Sequence, residues 1–347
     1  MSMNRNRIEY ISLASVVSAI AVVFLHTNGC FFAFSTARYW FTANIMESVF
    51  YFAVPIFFMI SGAMLIDYDE RYDTKTFFLK RINKTVIPFI IWSLVGLVFQ
   101  VYYLHSVNIS DVNLTYIVNG LSTGHLTRVF WFFIPLFCNY LVIPLFSAVP
   151  KDKNMKLFTY LVGVGFVLNI LVPFIISVFG LGIDWRLTLG VSAGFLFYTL
   201  TGYLLHKYEL DRKFQLLIYL FAVIGLVIRI VGTYTLSMDA GTLVTTYNGY
   251  TDLPCVLYSF GVFVFIKYDL VKIMKFAGVS KLVNFLNPYT FGIYLLHYFI
   301  MEIIVKVFSI NTTSIAYRLL TPFVIIAIAV CVIWIVQKIP GGKRVIP

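Results

Sequence analysis

Charge is what this sequence has least of. Only 12% of its 347 residues are Asp, Glu, Lys or Arg, against roughly 25% in a typical soluble domain, and the acids number just 15. A disordered chain needs high charge and few apolar residues, so it is excluded, and a water-soluble enzyme is improbable on the same ground. The four cysteines, Cys30, Cys138, Cys255 and Cys331, lie far apart in or beside apolar runs. They form neither a disulfide framework nor a metal-ligand spacing and read as small packing residues. No Gly-rich phosphate loop, nucleophile elbow, internal repeat or low-complexity tract is visible.

What is abundant is apolar surface: 60% hydrophobic residues, 18% aromatic, and a mean hydropathy of +0.89. One bilayer crossing takes ~20 apolar residues. Runs long enough to cross fall at 8–30, 43–66, 85–104, 129–149, 157–179, 187–206, 214–236, 249–267, 288–308 and 318–337. The expected fold is all-α, a polytopic membrane protein of about ten transmembrane helices in a single domain over 1–347. In the eighth run the clean apolar stretch covers only Leu253 to Ile266, so it must recruit polar residues around Tyr250 or be partly re-entrant. The first run outlasts the ~7–15 residues of a signal-peptide core and precedes no convincing cleavage site, so it is expected to stay as the first helix.

The formal charge of +11 reads differently once it is sorted by segment. Twenty of the 26 Lys and Arg, among them Arg5, Arg7, Arg81, Lys84 and Lys151, fall in segments on one side. Arg38, Arg128, Arg186 and Arg318 fall on the other, and Arg229 and Lys306 lie inside the seventh and ninth runs. This bias puts both termini in the cytoplasm and leaves no excess that calls for nucleic acid. The longer outer loops, 105–128 and 237–248, are rich in Ser, Thr, Asn, Gly and Tyr; they either hydrogen-bond a glycan or are ordinary solvated loops.

An ionisable residue inside a span costs a few kcal/mol and is a functional candidate by default. His26, near the outer end of the first run, is either a general base or transient acyl carrier, or an interfacial histidine bonded to a carbonyl. Glu47, at similar depth in the second run, either orients His26 as a triad carboxylate does or is a first-turn acid matched to its helix dipole. Glu302 and Lys306 have the i,i+4 spacing and order of an intrahelical ion pair. Arg229 has no acid within a turn and either snorkels outward or receives an anionic group in a cavity. His297, about nine residues into its run, fits a structural hydrogen bond or a second catalytic group. Arg81 and Lys84 share a helical face at the mouth of the third run, where they either clamp donor phosphates or act as topogenic charge.

Six segments form an ordered set over nearly the whole chain. They are Arg7-Ile8 followed by His26, then Val54-Pro55-Ile56-Phe57-Phe58-Met59-Ile60-Ser61-Gly62, then Lys80-Arg81-x-x-Lys84 with Pro88. Next come Phe130-Trp131-Phe132-Phe133 with Ile143-Pro144-Leu145, then Thr201-Gly202-Tyr203-Leu204-Leu205, and finally Tyr289-Thr290-Phe291-Gly292-Ile293-Tyr294-Leu295-Leu296-His297. In that order they resemble the acyltransferase-3 family of integral-membrane acyltransferases, including its enterobacterial-common-antigen O-acetyltransferase type. The resemblance implies transfer of an acyl group, usually acetyl, from cytosolic acyl-CoA as donor substrate, with no bound cofactor and no metal. The acceptor would be a hydroxyl of a glycan (O-antigen, common antigen or another surface polysaccharide) at the outer face of a bacterial plasma (inner) membrane. It makes His26 catalytic and Arg81 and Lys84 donor contacts, although the family usually has Arg at the second basic position. Where the family has an Asp and an Arg, this chain has Ser12 and Ser15, the latter on nearly the same face as His26 and ~16 Å towards the cytoplasm. Another cation replaces them, with Lys84 and Arg7 nearest in depth, or the donor differs, or activity is reduced. Two rival classes are a polysaccharide exporter or secondary transporter, with His26, His297, Arg229 and the Glu302–Lys306 pair as a proton relay, and a catalytically silent relative that scaffolds glycan assembly. No inverted repeat supports the first.

Overall fold

The structure, a computed structural model, describes residues 8–182 and 184–347; Arg5 and Arg7 lie outside the described residues. No strand occurs among the described residues. Nine of their helices are long and apolar enough to cross a membrane. These are α1 (Glu9–Thr27), α2 (Arg38–Leu65), α3 (Thr74–Leu104), α4 (Phe130–Ser147) and α5 (Lys151–Val178), followed by α7 (Arg212–Ala240), α8 (Leu253–Lys275), α9 (Ala277–Phe308) and α10 (Ile315–Val336). Between α5 and α7 lies the shorter α6 (Gly194–Lys207). The chain is a polytopic membrane protein.

Helix α1 is the axis of the bundle: 78% of its apolar window is buried, against 11% for α5. The cause is side-chain size. Ala14, Ser18, Ala19 and Ala21 are all buried on α1, and such small residues let neighbouring backbones approach where lipid supplies no hydrophobic drive. Around α1 pack α2, α8, α9 and α10.

The crossing of α2 and α6 uses the same device. A Cβ added at Gly62 would fall 1.8 Å from the Thr199 carbonyl oxygen, and one at Gly202 would fall 2.2 Å from that of Met59. Helix α6 is itself shorter than the run at 187–206 suggests. At ~1.5 Å per residue its 14 residues span roughly 21 Å, less than the ~30 Å hydrocarbon core. The preceding residues turn instead, because Asn169 of α5 hydrogen-bonds their backbone. Its Nδ2 donates to the carbonyls of Leu189 (3.1 Å) and Ser192 (3.0 Å), and its Oδ1 accepts from the Leu189 N–H (2.8 Å). Irregular backbone inside a membrane protein needs such partners.

Other departures from regular helix have equally local causes. π-turns at Ile82–Val86 and Val167–Leu171 precede Pro88 and Pro173. Proline lacks an N–H and crowds the carbonyl four residues back, and a widened turn relieves both. Helix α2 is interrupted at Tyr51 and Phe52. The weak eighth run gains its length through a 3₁₀ stretch, Leu270–Lys275, at its far end, and its helix starts only at Leu253; residues around Tyr250 are not recruited.

Ion pairs gather at the basic end of the bundle. Asp67, just past α2, accepts from Lys151 at 2.8 Å and from Lys207 at 2.7 Å, and Tyr203 donates to it at 3.0 Å. Burial pushes the Asp67 carboxyl up, but the hydrogen bonds from Lys151 and Lys207 outweigh it and hold the group below the ordinary carboxylate range. A depressed folded-state value adds stability above the unfolded pKa of ~3.9 and loses it as pH falls through the folded value. Asp67→Asn should therefore lower the thermal midpoint in detergent at pH 7, with the difference from wild type closing below about pH 4; a gap independent of pH would contradict the pairing. At the helix crossing, Gly202→Val should cost about 1–3 kcal/mol through overpacking. Gly163→Ala, where nothing lies within 4 Å of the added Cβ, should leave the midpoint unchanged in the same melt.

Candidate active site

His26 stands in the last turn of α1, where the apolar run gives way to Thr27 and the helix-ending Asn28. Its imidazole lines two cavities. The larger, about 450 Å³, has a mainly apolar and aromatic wall that includes Tyr51, Phe57, Trp131, Phe132 and Tyr250. Tyr51 and Tyr250 stack at 4.1 Å, and Trp131 lies 5.5 Å from Tyr250. The smaller, about 190 Å³, is more polar and includes Arg128, Glu302, Thr312, Tyr298 and Tyr317. Leu25, Phe32 and Val129 join His26 in both walls.

Behind His26 sits His297, with ring centroids 4.8 Å apart and planes inclined by 35°. His297 is fully buried. Its Nδ1 lies 2.7 Å from the Tyr294 carbonyl oxygen and 3.2 Å from that of Ile293. A carbonyl can only accept, so Nδ1 carries the proton and Nε2 is left with a lone pair. That Nε2 is buried and has no hydrogen-bond partner. A buried polar atom left unmatched is costly and needs a reason. His26 has no hydrogen bond to any described residue, and it lines both cavities.

Glu47 reaches the same cavity, but not as the orienting carboxylate of His26. Its hydrogen bond comes from Asn28 Nδ2, at 3.4 Å, and Asn28 also donates to the Ala43 carbonyl at 2.8 Å. The Asn28 Oδ1 accepts from the Arg318 guanidinium at 3.3 Å, while Arg318 also donates to Thr42 Oγ1 at 2.8 Å. Asn28 thus joins a buried cation to a buried carboxylate two residues beyond His26. Nor is Glu47 a first-turn acid: α2 begins at Arg38, which puts Glu47 in its third turn, where the residue that ends α1, not the histidine, meets it.

Arg229 neither snorkels nor opens into a cavity. It is 1% exposed and hydrogen-bonds Asn248 and the Tyr247 carbonyl. Its guanidinium also lies over the Tyr51 ring at 3.7 Å, a cation–π contact that helps fix this wall.

Residues 8–337 match the family model described as an acyltransferase domain, that of the acyltransferase-3 family. The chain belongs to this family. No curated relative and no solved structure matches at a significant level. Family membership supports acyltransferase activity, and the remaining candidates can be located within this acyltransferase.

Ser15 lines the larger cavity at its far end, near Thr85 and Tyr140, and Ser12 is buried. Lys84 does not line that wall, and Arg7 lies outside the described residues. Arg81 approaches it indirectly. It is half-buried, with its guanidinium 5.6 Å from the Tyr140 ring centre, and its backbone carbonyl accepts from Thr85 Oγ1 at 2.7 Å. Lys84 is exposed, so the two cations do not share the face that α-helical spacing suggests. The π-turn between them widens the helix and turns Lys84 away.

The expected Glu302–Lys306 pair does not form either. The Lys306 amine instead donates to the Tyr103 carbonyl of α3, and Glu302 turns to the smaller cavity with Arg128.

Three residues that the structure brings to the candidate site escaped the sequence reading: Asn28, Arg128 and Arg318. Arg318 carried a signal, since a cation in the first turn of α10 opposes the helix dipole and needs a compensating partner. Among the described residues no three His, Cys, Asp or Glu side chains gather as a metal site. Replacing Asn28 with Leu strands Arg318 and Glu47, and should cost about 1–3 kcal/mol as a lowered thermal midpoint in detergent; an unchanged midpoint would show that the bridge contributes nothing.

Proposed function

We propose that the protein transfers an acyl group, acetyl in the first instance, from cytosolic acyl-CoA to a hydroxyl of a cell-surface or lipid-linked glycan, with His26 as general base. One observation carries this reading: His26 lines both cavities. A thioester carbon in the apolar cavity and a hydroxyl in the polar one would meet at a single imidazole.

The donor route follows from α1. Ser15 and His26 both line the larger cavity, and eleven residues of helix separate them by ~16 Å. Arg81, at the basic end, would contact the CoA phosphates as a charge-assisted donor. The thioester arm would lie along the aromatic wall, which limits water and so competing hydrolysis. In the transfer step, the acceptor O–H proton passes to His26 as its oxygen bonds the acyl carbon. The carbon–sulfur bond breaks, and the CoA thiolate leaves and takes the proton back from His26.

Neutral His26 carries one N–H, and with the rings 4.8 Å apart that N–H would be donated to the bare Nε2 of His297, leaving the other nitrogen of His26 as the base. His297 is then a positioning residue. Glu47 acts at one remove, through Asn28. The basic bias supports both termini in the cytoplasm, which requires an even number of crossings and so makes α6 the tenth, and the family supports a bacterial inner membrane.

Labelled acetyl-CoA given to membranes that contain the wild-type protein should deliver label to lipid-linked or surface polysaccharide. His26→Ala should cut that transfer by about 10²–10⁴-fold in a protein that remains folded and inserted. Normal labelling by the variant would sink the proposal, and an exporter or silent relative would deliver no label at all. Arg81→Ala should raise the KM for acyl-CoA roughly tenfold with little change in kcat, measured by CoA release against donor concentration.

A further inference from the structure

The smaller cavity is built from chemistry that the donor route leaves unused. Its volume is about 190 Å³, well above what a single water needs and enough for one sugar ring. On its wall stand a cation, a carboxylate, a threonine and two tyrosines: Arg128, Glu302, Thr312, Tyr298 and Tyr317. Arg128 is exposed and has no hydrogen bond or ion pair with any described residue. Glu302 is released from its helix neighbour, because Lys306 is held by the Tyr103 carbonyl. The cavity wall thus carries a carboxylate that can accept and a guanidinium that is a fork of donors.

We propose that this cavity is the acceptor subsite and that it takes one neutral sugar ring by its hydroxyls, with Glu302 accepting from one hydroxyl, Arg128 donating to another, and a tyrosine ring against the apolar face of the sugar. The assignment rests on the reading of His26 as general base, since His26 is the point where this cavity meets the acyl carbon. Neutrality follows from the lining. One positive and one negative side chain cancel, and an acidic sugar drawn to Arg128 would bring its carboxylate towards Glu302. A site for uronate or phosphate would need cations without that opposing acid. Glu302 and Arg128 are here specificity-determining residues, and the proton still leaves to His26.

The test uses the full-length protein in membranes and purified in detergent, with labelled acetyl-CoA and a panel of methyl hexopyranosides alongside methyl glucuronide. At least one neutral glycoside should accept label and the glucuronide should not. Arg128→Gln, an exposed position that should fold normally, and Glu302→Gln should each raise the glycoside KM tenfold or more while changing kcat by less than about threefold. Unchanged KM in both variants, a preference for the glucuronide, or no transfer to any neutral glycoside by a protein that still acylates the membranes' own glycan would overturn the subsite. The two readings fail separately. Persistent transfer by His26→Ala would remove the base assignment while the KM of the two Gln variants still decides the subsite. A protein that acylates neither native glycan nor any glycoside would overturn the transferase reading itself, and the subsite with it.

Discussion

Asn28 joins a buried arginine to a buried glutamate at the end of α1, and the geometry around His26 depends on that link. Ionised groups in hydrocarbon are costly unless they are paired and hydrogen-bonded. Arg318, 1% exposed, and Glu47, 2% exposed, come from α10 and α2, and Asn28 meets both because an amide offers an acceptor to one and a donor to the other. The bridge ties three helices together two residues past the catalytic candidate. It fixes where α1 stops, and so where the imidazole lies between the apolar cavity and the polar one.

The rest of the bundle makes such a site possible by keeping α1 thin and its surroundings close. Small residues along α1 let four helices approach it, and Gly62 and Gly202 bring the α2 and α6 backbones into direct contact. The site is polar only where chemistry is needed. Elsewhere aromatic rings line the donor cavity, and most ion pairs lie at the basic end, where Asp67, Lys151 and Lys207 close the turns between helices.

Much of the fold was legible because hydropathy reads the solvent directly: each crossing must satisfy its own backbone in lipid, so apolar length reports a helix. The exceptions were segments in which another helix changed that rule. Asn169 held residues 189–192 out of α-helix by hydrogen bonds from some twenty residues away, the last three forming a 3₁₀ turn. Lys306 found the Tyr103 carbonyl of α3 in place of Glu302, because the i,i+4 rule describes an isolated helix surface and takes no account of a neighbour that offers a buried acceptor. Proline at 88 opened a π-turn that parted Arg81 from Lys84, an effect of i−4 crowding that an α-helical wheel cannot represent.

Composition and order of residues were enough to settle the membrane class, the helical fold, the family and the short set of ionisable residues worth weighing, because all of these depend on local apolar length or on motifs contiguous in the chain. Partnership was decided only by tertiary structure. His26 meets His297 from 271 residues away, Glu47 reaches Arg318 through Asn28, and Arg128 and Glu302 share the wall of one cavity. The physical reason is that a charge in low dielectric takes whichever partner lies nearest in space, and helix packing sets that distance, not sequence separation.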